Sequence, residues 1–214
     1  MQKTALCALA CVAAGYFIGC INPAFIIGRI KGYDVRSSGS KNAGASNTVI
    51  MAGKLAGVLV ALLDIFKAAL SWRLCQALFP QFALAGILGG VACILGHMFP
   101  VFLHFCGGKG LACIGGVVLA YDPATFLIML AITCVIGFAT NYIAIATVSI
   151  AAIWPVYYGA TTGFWVGAAV LAVPFVPILL RHMTNFRRIR AGEELRLNFL
   201  WKKDSELERI GYED

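Results

Sequence analysis

Charged side chains are scarce in this sequence. Only 13% of the 214 residues are Asp, Glu, Lys or Arg, whereas 60% are hydrophobic. In a typical soluble domain the charged fraction is about a quarter. This deficit excludes an ordinary soluble enzyme and indicates an integral membrane protein.

Several motifs of other protein classes are missing. His97 and His104 lie seven residues apart around a proline, a spacing that fits no zinc site. Lys109 is not followed by the Ser or Thr that a nucleotide-binding P-loop requires. Of the eight cysteines, only Cys106 lies in a polar loop, and the others read as small hydrophobes rather than as a disulfide framework. The sequence therefore gives no sign of a bound metal.

The hydrophobic residues form continuous runs that are long enough to cross a bilayer. Runs of about 20 apolar residues span its hydrocarbon core, and continuous rather than alternating runs favour helices over a β-barrel. We predict an all-α integral membrane protein with about seven transmembrane or membrane-embedded helices, one of them short. The first run lacks a small-residue cleavage site, which favours a span over a signal peptide. The predicted segments are 5–28, 55–79, 82–103, 111–121, 124–140, 143–159 and 163–180.

Basic residues cluster after the first, third and last of these segments, and few lie on the opposite side. The positive-inside rule then predicts an outside N-terminus and a cytoplasmic C-terminus. The net charge of +7 lies beside the membrane spans, so we expect membrane lipid as a partner and no nucleic acid. Residues 1–195 are predicted to form the membrane domain, followed by a charged cytoplasmic tail at 196–214.

Three polar clusters interrupt the apolar runs on the predicted cytoplasmic side. The first, at 39–47, reads GSKNAGASN. Its glycines, Gly39 and Gly44, are expected to adopt conformations closed to other residues. Such a loop forms either an anion-binding nest or an ordinary cap of the next helix. Its short hydrogen-bonding side chains are Ser40, Asn42, Ser46 and Asn47.

The second cluster contains a Gly-Gly-Lys-Gly loop at 107–110. Open backbone amides, the cation of Lys109 and a helix starting near Leu111 together suit a phosphate group. His97, just before this loop, is a base, a hydrogen-bond donor or a satisfied histidine at the membrane edge.

The third cluster follows the last apolar run. His182 and Asn185 are three residues apart and are predicted to share one helix face, on a helix that ends near Gly192. Within the second run, Asp64 and Lys67 have the same spacing and are expected to neutralise each other.

The order of these motifs resembles the bacterial membrane glycerol-3-phosphate acyltransferases of the PlsY family, over nearly the whole chain. The matching stretches are KGYDVRSSGSKNAGASN, DIFKA, GHMFPVFLHFCGGKGLA and RHMTNFRRIRAGEE. The resemblance implies a seven-helix enzyme of the bacterial inner membrane, with its active-site loops facing the cytoplasm. It implies transfer of a fatty acyl group from acyl phosphate to glycerol 3-phosphate for phospholipid synthesis, without a cofactor.

The same resemblance implies the functional positions. It places catalytic residues at Ser40, His97, His182 and Asn185. It places phosphate- or substrate-binding residues at Asn42, Gly44, Ser46, Asn47, Gly108, Lys109, Gly110 and Arg188.

The chain also departs from the family pattern. The family usually reads GSGN-x-GATN followed three residues later by arginine, whereas Lys41 replaces the second glycine and Ile50 replaces the arginine. Further on, Asn141 replaces a basic residue, and Ala144 and Ala146 replace hydroxyls. We hypothesise that Lys41 takes over a contact to the acceptor phosphate from the missing arginine.

Three functions fit this pattern. The chain is an active glycerol-3-phosphate acyltransferase, a divergent acyltransferase with another polar acceptor, or a non-catalytic lipid- or partner-binding homologue. The retained Lys109, His182 and Asn185 favour an enzyme. The sequence leaves open whether His182, His97 or the substrate's own phosphate takes the acceptor proton.

Overall fold

The computed structural model describes residues 2–37 and 39–211, and these residues form α-helices and short 3₁₀ turns without a β-strand. The all-α prediction is therefore confirmed. The helices are α1 (Gln2–Cys20), α2 (Pro23–Ile30), α3 (Ala45–Ala52), α4 (Lys54–Leu78), α5 (Ala85–Met98), α6 (Leu111–Tyr121), α7 (Pro123–Thr140), α8 (Ile143–Thr162), α9 (Trp165–Ala172), α10 (Phe175–Ala191) and α11 (Lys203–Arg209). The 3₁₀ turns are Val101–Leu103 and Leu197–Leu200.

Six helical segments of the described chain are long and apolar enough to cross a membrane, and α6 is a shorter apolar helix. The prediction of seven membrane helices, one of them short, is confirmed. The six segments are Gln2–Ile30, Lys54–Leu78, Ala85–Leu103, Pro123–Thr140, Ile143–Thr162 and Trp165–Ala191.

The last helix continues past its apolar run and ends at Gly192, which confirms the predicted helix end. The run ends at residue 180, but α10 continues to Ala191 and stops where Gly192 adopts φ 75°. A hydrophobic run marks the part of a helix that can lie in lipid, whereas the helix itself ends at a left-handed glycine. This extension places His182 and Asn185 on a rigid element.

Helix α4 is polar toward the protein and apolar toward its surroundings. Asp64, Lys67 and Ser71 are buried, whereas Leu62 and Phe66 are 57% and 62% exposed. Lipid tails solvate exposed apolar side chains, while polar groups within a membrane must find partners inside the protein. The pattern is the reverse of that of a soluble helix.

Small residues allow α1 and α5 to pack at close range. A Cβ atom on Gly15 would lie 2.2 Å from the Gly89 carbonyl oxygen, and one on Gly96 would lie 2.1 Å from that of Tyr16. Close backbone approach at glycine is a common way for membrane helices to associate. This close packing fixes the end of α5, which carries His97 in its last turn and precedes the Gly-Gly-Lys-Gly loop.

A C-terminal cap, defined here as residues 197–211, packs against α3. Phe199 and Leu207 form a buried apolar cluster with Val49 and Ile50. The Lys203 ammonium donates a hydrogen bond of 2.8 Å to the Ile50 carbonyl oxygen. Lysine side chains often satisfy the open carbonyl groups in the last turn of a helix in this way.

Candidate active site

A cavity of about 330 Å³ opens where the three polar clusters meet. One end is polar and the other end is an apolar limb between α4, α6 and α7. The polar end is lined by Ser40, Asn42, Gly44, Ser46, Asp64, His97, Lys109, Gly110, His182, Asn185 and Glu194. The limb is lined by Ile65, Ile114, Val118, Phe126, Met129 and Leu130.

Three polar side chains form a hydrogen-bonded line at the polar end. The Lys109 ammonium donates to Asn185 Oδ1 over 2.5 Å, and Asn185 Nδ2 donates to Glu194 Oε1 over 2.6 Å. Burial, with the charges of Arg188 and Arg181 nearby, lowers the pKa of Lys109 to about 8, although Glu194 opposes the shift. Burial has the opposite effect on the acidic partner and raises the pKa of Glu194. The line places a lysine and a glutamate side chain on the two sides of one amide.

Lys109 lies just before the start of α6, where backbone amides are open. Gly110 precedes the helix with φ 95°, a left-handed conformation that favours glycine. The first amides of α6 have no acceptor within the helix, and the helix dipole adds positive potential there. An anion at this point would meet the Lys109 ammonium and free N–H groups together.

His182 has a defined tautomer. Its Nδ1 lies 2.8 Å from the Ile178 carbonyl oxygen, one turn earlier in α10. A carbonyl only accepts, so Nδ1 carries the proton and Nε2 of the neutral ring has a free lone pair. His182 and Asn185 are both buried and line the same cavity, which confirms the predicted shared face.

His97 has a different set of partners, which were far apart in the sequence. Its Nδ1 lies 3.2 Å from Asp64 Oδ1 and 3.0 Å from Lys67 Nζ. Lys67 Nζ lies 2.7 Å from Asp64 Oδ1, so the predicted neutralisation is confirmed. The same ammonium donates to the Gly19 and Ile21 carbonyls, 3.1 and 2.6 Å away.

Cys113 completes a group with metal-ligand chemistry. Ligand atoms of Asp64, His97 and Cys113 lie within 4.8 Å of one another. This trio could not be predicted from the sequence, because spacing arguments detect local ligand pairs only. Lys67 already supplies positive charge beside the carboxylate, so the group is charge-balanced by the protein itself.

The Gly-Gly-Lys-Gly loop folds tightly onto His97. The amides of Gly107 and Gly108 donate to the carbonyls of Met98 and His97, over 3.2 and 3.1 Å. A Cβ atom on Gly108 would lie 2.1 Å from His97 Nε2. The expectation that the whole loop offers open amides is therefore wrong for these two, and Gly108 serves instead to admit the imidazole.

The first polar loop divides into residues that line the cavity and one that holds the loop. Asn47 is fully buried outside the cavity, where its Oδ1 accepts from the Ser40 amide over 2.8 Å and its Nδ2 donates to the Val35 carbonyl. Gly39 has the expected left-handed conformation, with φ 64°. Gly44 has φ −150° and is the N-cap of α3, so the expectation of a glycine-only conformation there is wrong.

Four of the predicted binding residues do not line the cavity: Asn47 and Gly108, described above, and Lys41 and Arg188. Lys41 is exposed and has φ 55°, a conformation that costs about 1 kcal/mol or more for a residue other than glycine. Arg188 is also exposed and acts on the cavity only through its charge, which lowers the pKa of Lys109.

Several lining residues were not among the predicted site. Asp64 and Glu194 are polar and had sequence signals, as half of a predicted ion pair and as part of the AGEE stretch. Ile50 was singled out only as the replacement of the family arginine. Phe199 had no signal, because an apolar residue in a predicted tail is indistinguishable from any other surface residue.

The fold and the cavity define an integral membrane protein whose polar site adjoins an apolar limb. Residues 9–192 match the family model described as glycerol-3-phosphate acyltransferase. The chain is similar to glycerol-3-phosphate acyltransferase 1 of Oceanobacillus iheyensis, with 35% identity over 88% of this chain and 94% of the relative. It is also similar to the glycerol-3-phosphate acyltransferase of Ralstonia pickettii, with 38% identity over 86% of this chain and 91% of the relative.

Solved structures give the same result. The glycerol 3-phosphate form of PlsY, an integral membrane glycerol 3-phosphate acyltransferase, has a TM-score of 0.79 and 31% identity, and covers 90% of this chain and 96% of that one. The lysophosphatidic acid form has a TM-score of 0.78 and 32% identity, over 88% and 94% of the two chains. The chain belongs to the glycerol-3-phosphate acyltransferase family, which confirms the resemblance.

Proposed function

We propose that this protein transfers a fatty acyl group from acyl phosphate to the 1-hydroxyl of glycerol 3-phosphate, giving lysophosphatidic acid and phosphate. The observation that carries the proposal is that one cavity joins the line Lys109, Asn185 and Glu194 to an apolar limb between membrane helices. A lipid-linked donor and a water-soluble phosphorylated acceptor need this combination. Phospholipid synthesis is the process that uses the product.

The apolar limb accommodates the acyl chain. Its lining residues come from α4, α6 and α7, and α4 and α7 also carry exposed apolar side chains elsewhere on their surfaces. An acyl chain in this limb stays in an apolar environment, so entering it requires no exposure to water. The acyl phosphate end then lies at the polar groups.

Lys109 and the start of α6 bind phosphate oxygens. A charge-assisted hydrogen bond from an ammonium is about twice as strong as a neutral one, and a helix N-terminus adds favourable potential. Ser40, Asn42 and Ser46 line the same polar end and offer hydrogen bonds to hydroxyl groups.

The reaction needs little beyond positioning. The acceptor oxygen attacks the acyl carbonyl carbon, an ester bond forms, and the bond from that carbon to the phosphate oxygen breaks. The electron pair leaves with the phosphate, and the hydroxyl proton passes to His182 Nε2 or to a phosphate oxygen. Because acyl phosphate is already activated, orientation and stabilisation of the leaving charge supply most of the catalysis.

Lys109→Met tests this proposal. Loss of a charge-assisted contact worth roughly 1.5 to 3 kcal/mol should lower kcat/KM about ten- to hundred-fold. Lys54→Met, at the exposed start of α4, removes the same charge outside the cavity and serves as the control. The measurement is lysophosphatidic acid formation by purified protein supplied with acyl phosphate and glycerol 3-phosphate. Equal turnover by wild type and Lys109→Met would contradict the role of Lys109.

We also propose that the protein resides in the bacterial inner membrane with the cavity open to the cytoplasm, and that residues 196–214 lie on that side of a membrane domain at 1–195. The basic clusters after the first, third and last spans support this orientation. Cys106 is exposed in the loop before Lys109. A membrane-impermeant maleimide should label Cys106 in inverted membrane vesicles and not in intact spheroplasts, and the opposite pattern would reverse the orientation.

A further inference from the structure

The C-terminal cap lies outside the part of the chain that matches the family, which ends at residue 192. It is nevertheless built into the site. Phe199 is 2% exposed and lines the cavity, although it follows the last membrane span by eight residues. An element added to a family fold that contributes a wall to the cavity is a candidate for controlling what enters it.

Internal hydrogen bonds hold the cap in place. Arg209 Nε donates to Glu206 Oε1 over 2.9 Å, and the same carboxylate accepts from the Arg196 amide over 3.0 Å. Arg209 also donates to the carbonyls of Gly192 and Glu194. The Leu197 amide donates to the Asn141 carbonyl over 2.7 Å. The cap is thus fixed to the segment that carries Glu194.

The wall formed by the cap lies at the polar end of the cavity and not at the acyl limb. Ser46 and Ile50 are four residues apart on α3, so they lie on one helix face, and both line the cavity. Phe199 packs against Ile50. Leu195, adjacent to Glu194, lines the same region. None of these residues belongs to a membrane span, whereas the acyl limb is lined by the spans α4 and α7 and by the shorter apolar helix α6.

We infer that the cap is the specificity-determining wall of the acceptor end, where Phe199 and Ile50 limit the acceptor to a short phosphorylated polyol. The inference rests on the proposed function. A rigid aromatic wall beside Ser46 and Glu194 leaves room for hydroxyl and phosphate groups near Lys109, but it closes the direction in which a longer polyol would extend. A size difference of one methylene group between two substrates of a pocket changes selectivity by roughly 10- to 200-fold.

Phe199→Ala is the test. It removes the aromatic wall, and Phe199→Leu provides a second variant that keeps the apolar cluster filled. Trp201→Ala is the matched control, since Trp201 is an exposed aromatic of the same cap that stacks on Phe138 and does not line the cavity. The probes are glycerol 3-phosphate, erythritol 4-phosphate and sorbitol 6-phosphate.

Two measurements are made on each purified variant. One is kcat and KM with acyl phosphate, and the other is acceptor binding by calorimetry without any donor. For Phe199→Ala we expect KM for glycerol 3-phosphate to rise about tenfold with kcat nearly unchanged, and the preference for glycerol 3-phosphate over sorbitol 6-phosphate to fall at least about tenfold. Phe199→Leu should lie between this variant and wild type, and Trp201→Ala should match wild type.

The outcomes separate the two proposals. Wild type that forms lysophosphatidic acid, with unchanged selectivity in both Phe199 variants, would overturn the inference alone. Equal shifts in Trp201→Ala and Phe199→Ala would also overturn it, because the cap would then act only through its general packing. Wild type that binds none of the three acceptors would overturn the inference and the proposed function together.

Discussion

His97 and His182 both line the cavity and both are almost fully buried, but their partners differ. His97 lies against a carboxylate and an ammonium, Asp64 and Lys67, inside the membrane-spanning part of the protein. His182 has a single backbone carbonyl as the partner of its Nδ1. One imidazole is part of an ion cluster, whereas the other is a neutral ring with a free Nε2.

The difference shows how one residue type performs two tasks in one site. An imidazole in an ion cluster has its orientation fixed by charges, and removing a member of that cluster leaves a buried charge without a partner. An imidazole held by one carbonyl is also oriented, but its other nitrogen remains available to a substrate. We therefore propose a structural role for His97 beside Gly108, and direct contact with the acceptor for His182.

The largest effect is expected for Asp64→Asn, which tests whether the ion cluster around His97 is structural. The Lys67 ammonium would stay buried without a carboxylate, a change that costs about 3–5 kcal/mol in folding free energy. A large fall in the thermal unfolding temperature in detergent is expected, and Asp204→Asn, on the exposed surface of the cap, should leave that temperature unchanged.

The double variant Asp64→Asn, Lys67→Met tests whether the loss of stability comes from the unpaired charge. It removes both charges, and it should recover much of the lost stability as a non-additive effect. If Asp64→Asn unfolds at the same temperature as wild type, the cluster around His97 is not structural.

His182→Gln is the corresponding change at the second histidine. Gln has no basic nitrogen, so activity should fall about a hundred-fold if the ring takes a proton or positions the acceptor, while the unfolding temperature should change little. The control is His104→Gln, because His104 is exposed outside the cavity.

The pH–rate profile then separates the two roles of His182. Loss of an acidic limb in His182→Gln would indicate proton transfer, and a uniform drop across pH would indicate positioning. Wild-type activity in His182→Gln would make the two histidines equivalent and contradict the comparison.

Lys109 lines the same cavity as the two histidines and gives a pH dependence of its own. Only the ammonium form binds phosphate, and the pKa of about 8 means that kcat/KM should fall as pH rises through 8, by about tenfold at pH 9. The free energy of unfolding changes with pH in the opposite direction to kcat/KM, because the unfolded chain binds this proton more tightly. The contribution of Lys109 to stability therefore rises between about pH 8 and 10.5, the usual pKa of a lysine.

Lys109→Arg checks the assignment. Arginine stays charged, so the alkaline fall in kcat/KM should disappear, although its planar group is not expected to restore full activity. An unchanged alkaline limb in this variant would assign the titration to another group.

Lys41→Gly should have the smallest effect. Lys41 is exposed outside the cavity with φ 55°, and glycine adopts this conformation without strain. We expect KM for glycerol 3-phosphate to change by less than about threefold and stability to rise by a few tenths of a kcal/mol. A tenfold rise in KM, partly reversed by adding Ile50→Arg, would instead support the hypothesis that Lys41 replaces the missing arginine.

The membrane character, the helices and the Asp64–Lys67 ion pair could be predicted from the sequence alone. Continuous apolar runs specify helices in lipid, because backbone groups there must bond within the segment. The spacing of Asp64 and Lys67, and of His182 and Asn185, placed each pair on one face, because helical periodicity is local. Gly192 marked the end of α10 for the same reason.

Which polar groups are in contact depends on the packing of helices that are distant in the sequence. His97 joins Asp64 and Lys67 because α4 and α5 pack together, and Lys109 reaches Asn185 because the loop before α6 folds beside α10. Phe199 enters the cavity wall because an apolar cluster draws the cap onto Ile50. Hydrophobic burial is non-directional, so the sequence shows that a residue is apolar, but its partner depends on how the whole chain packs.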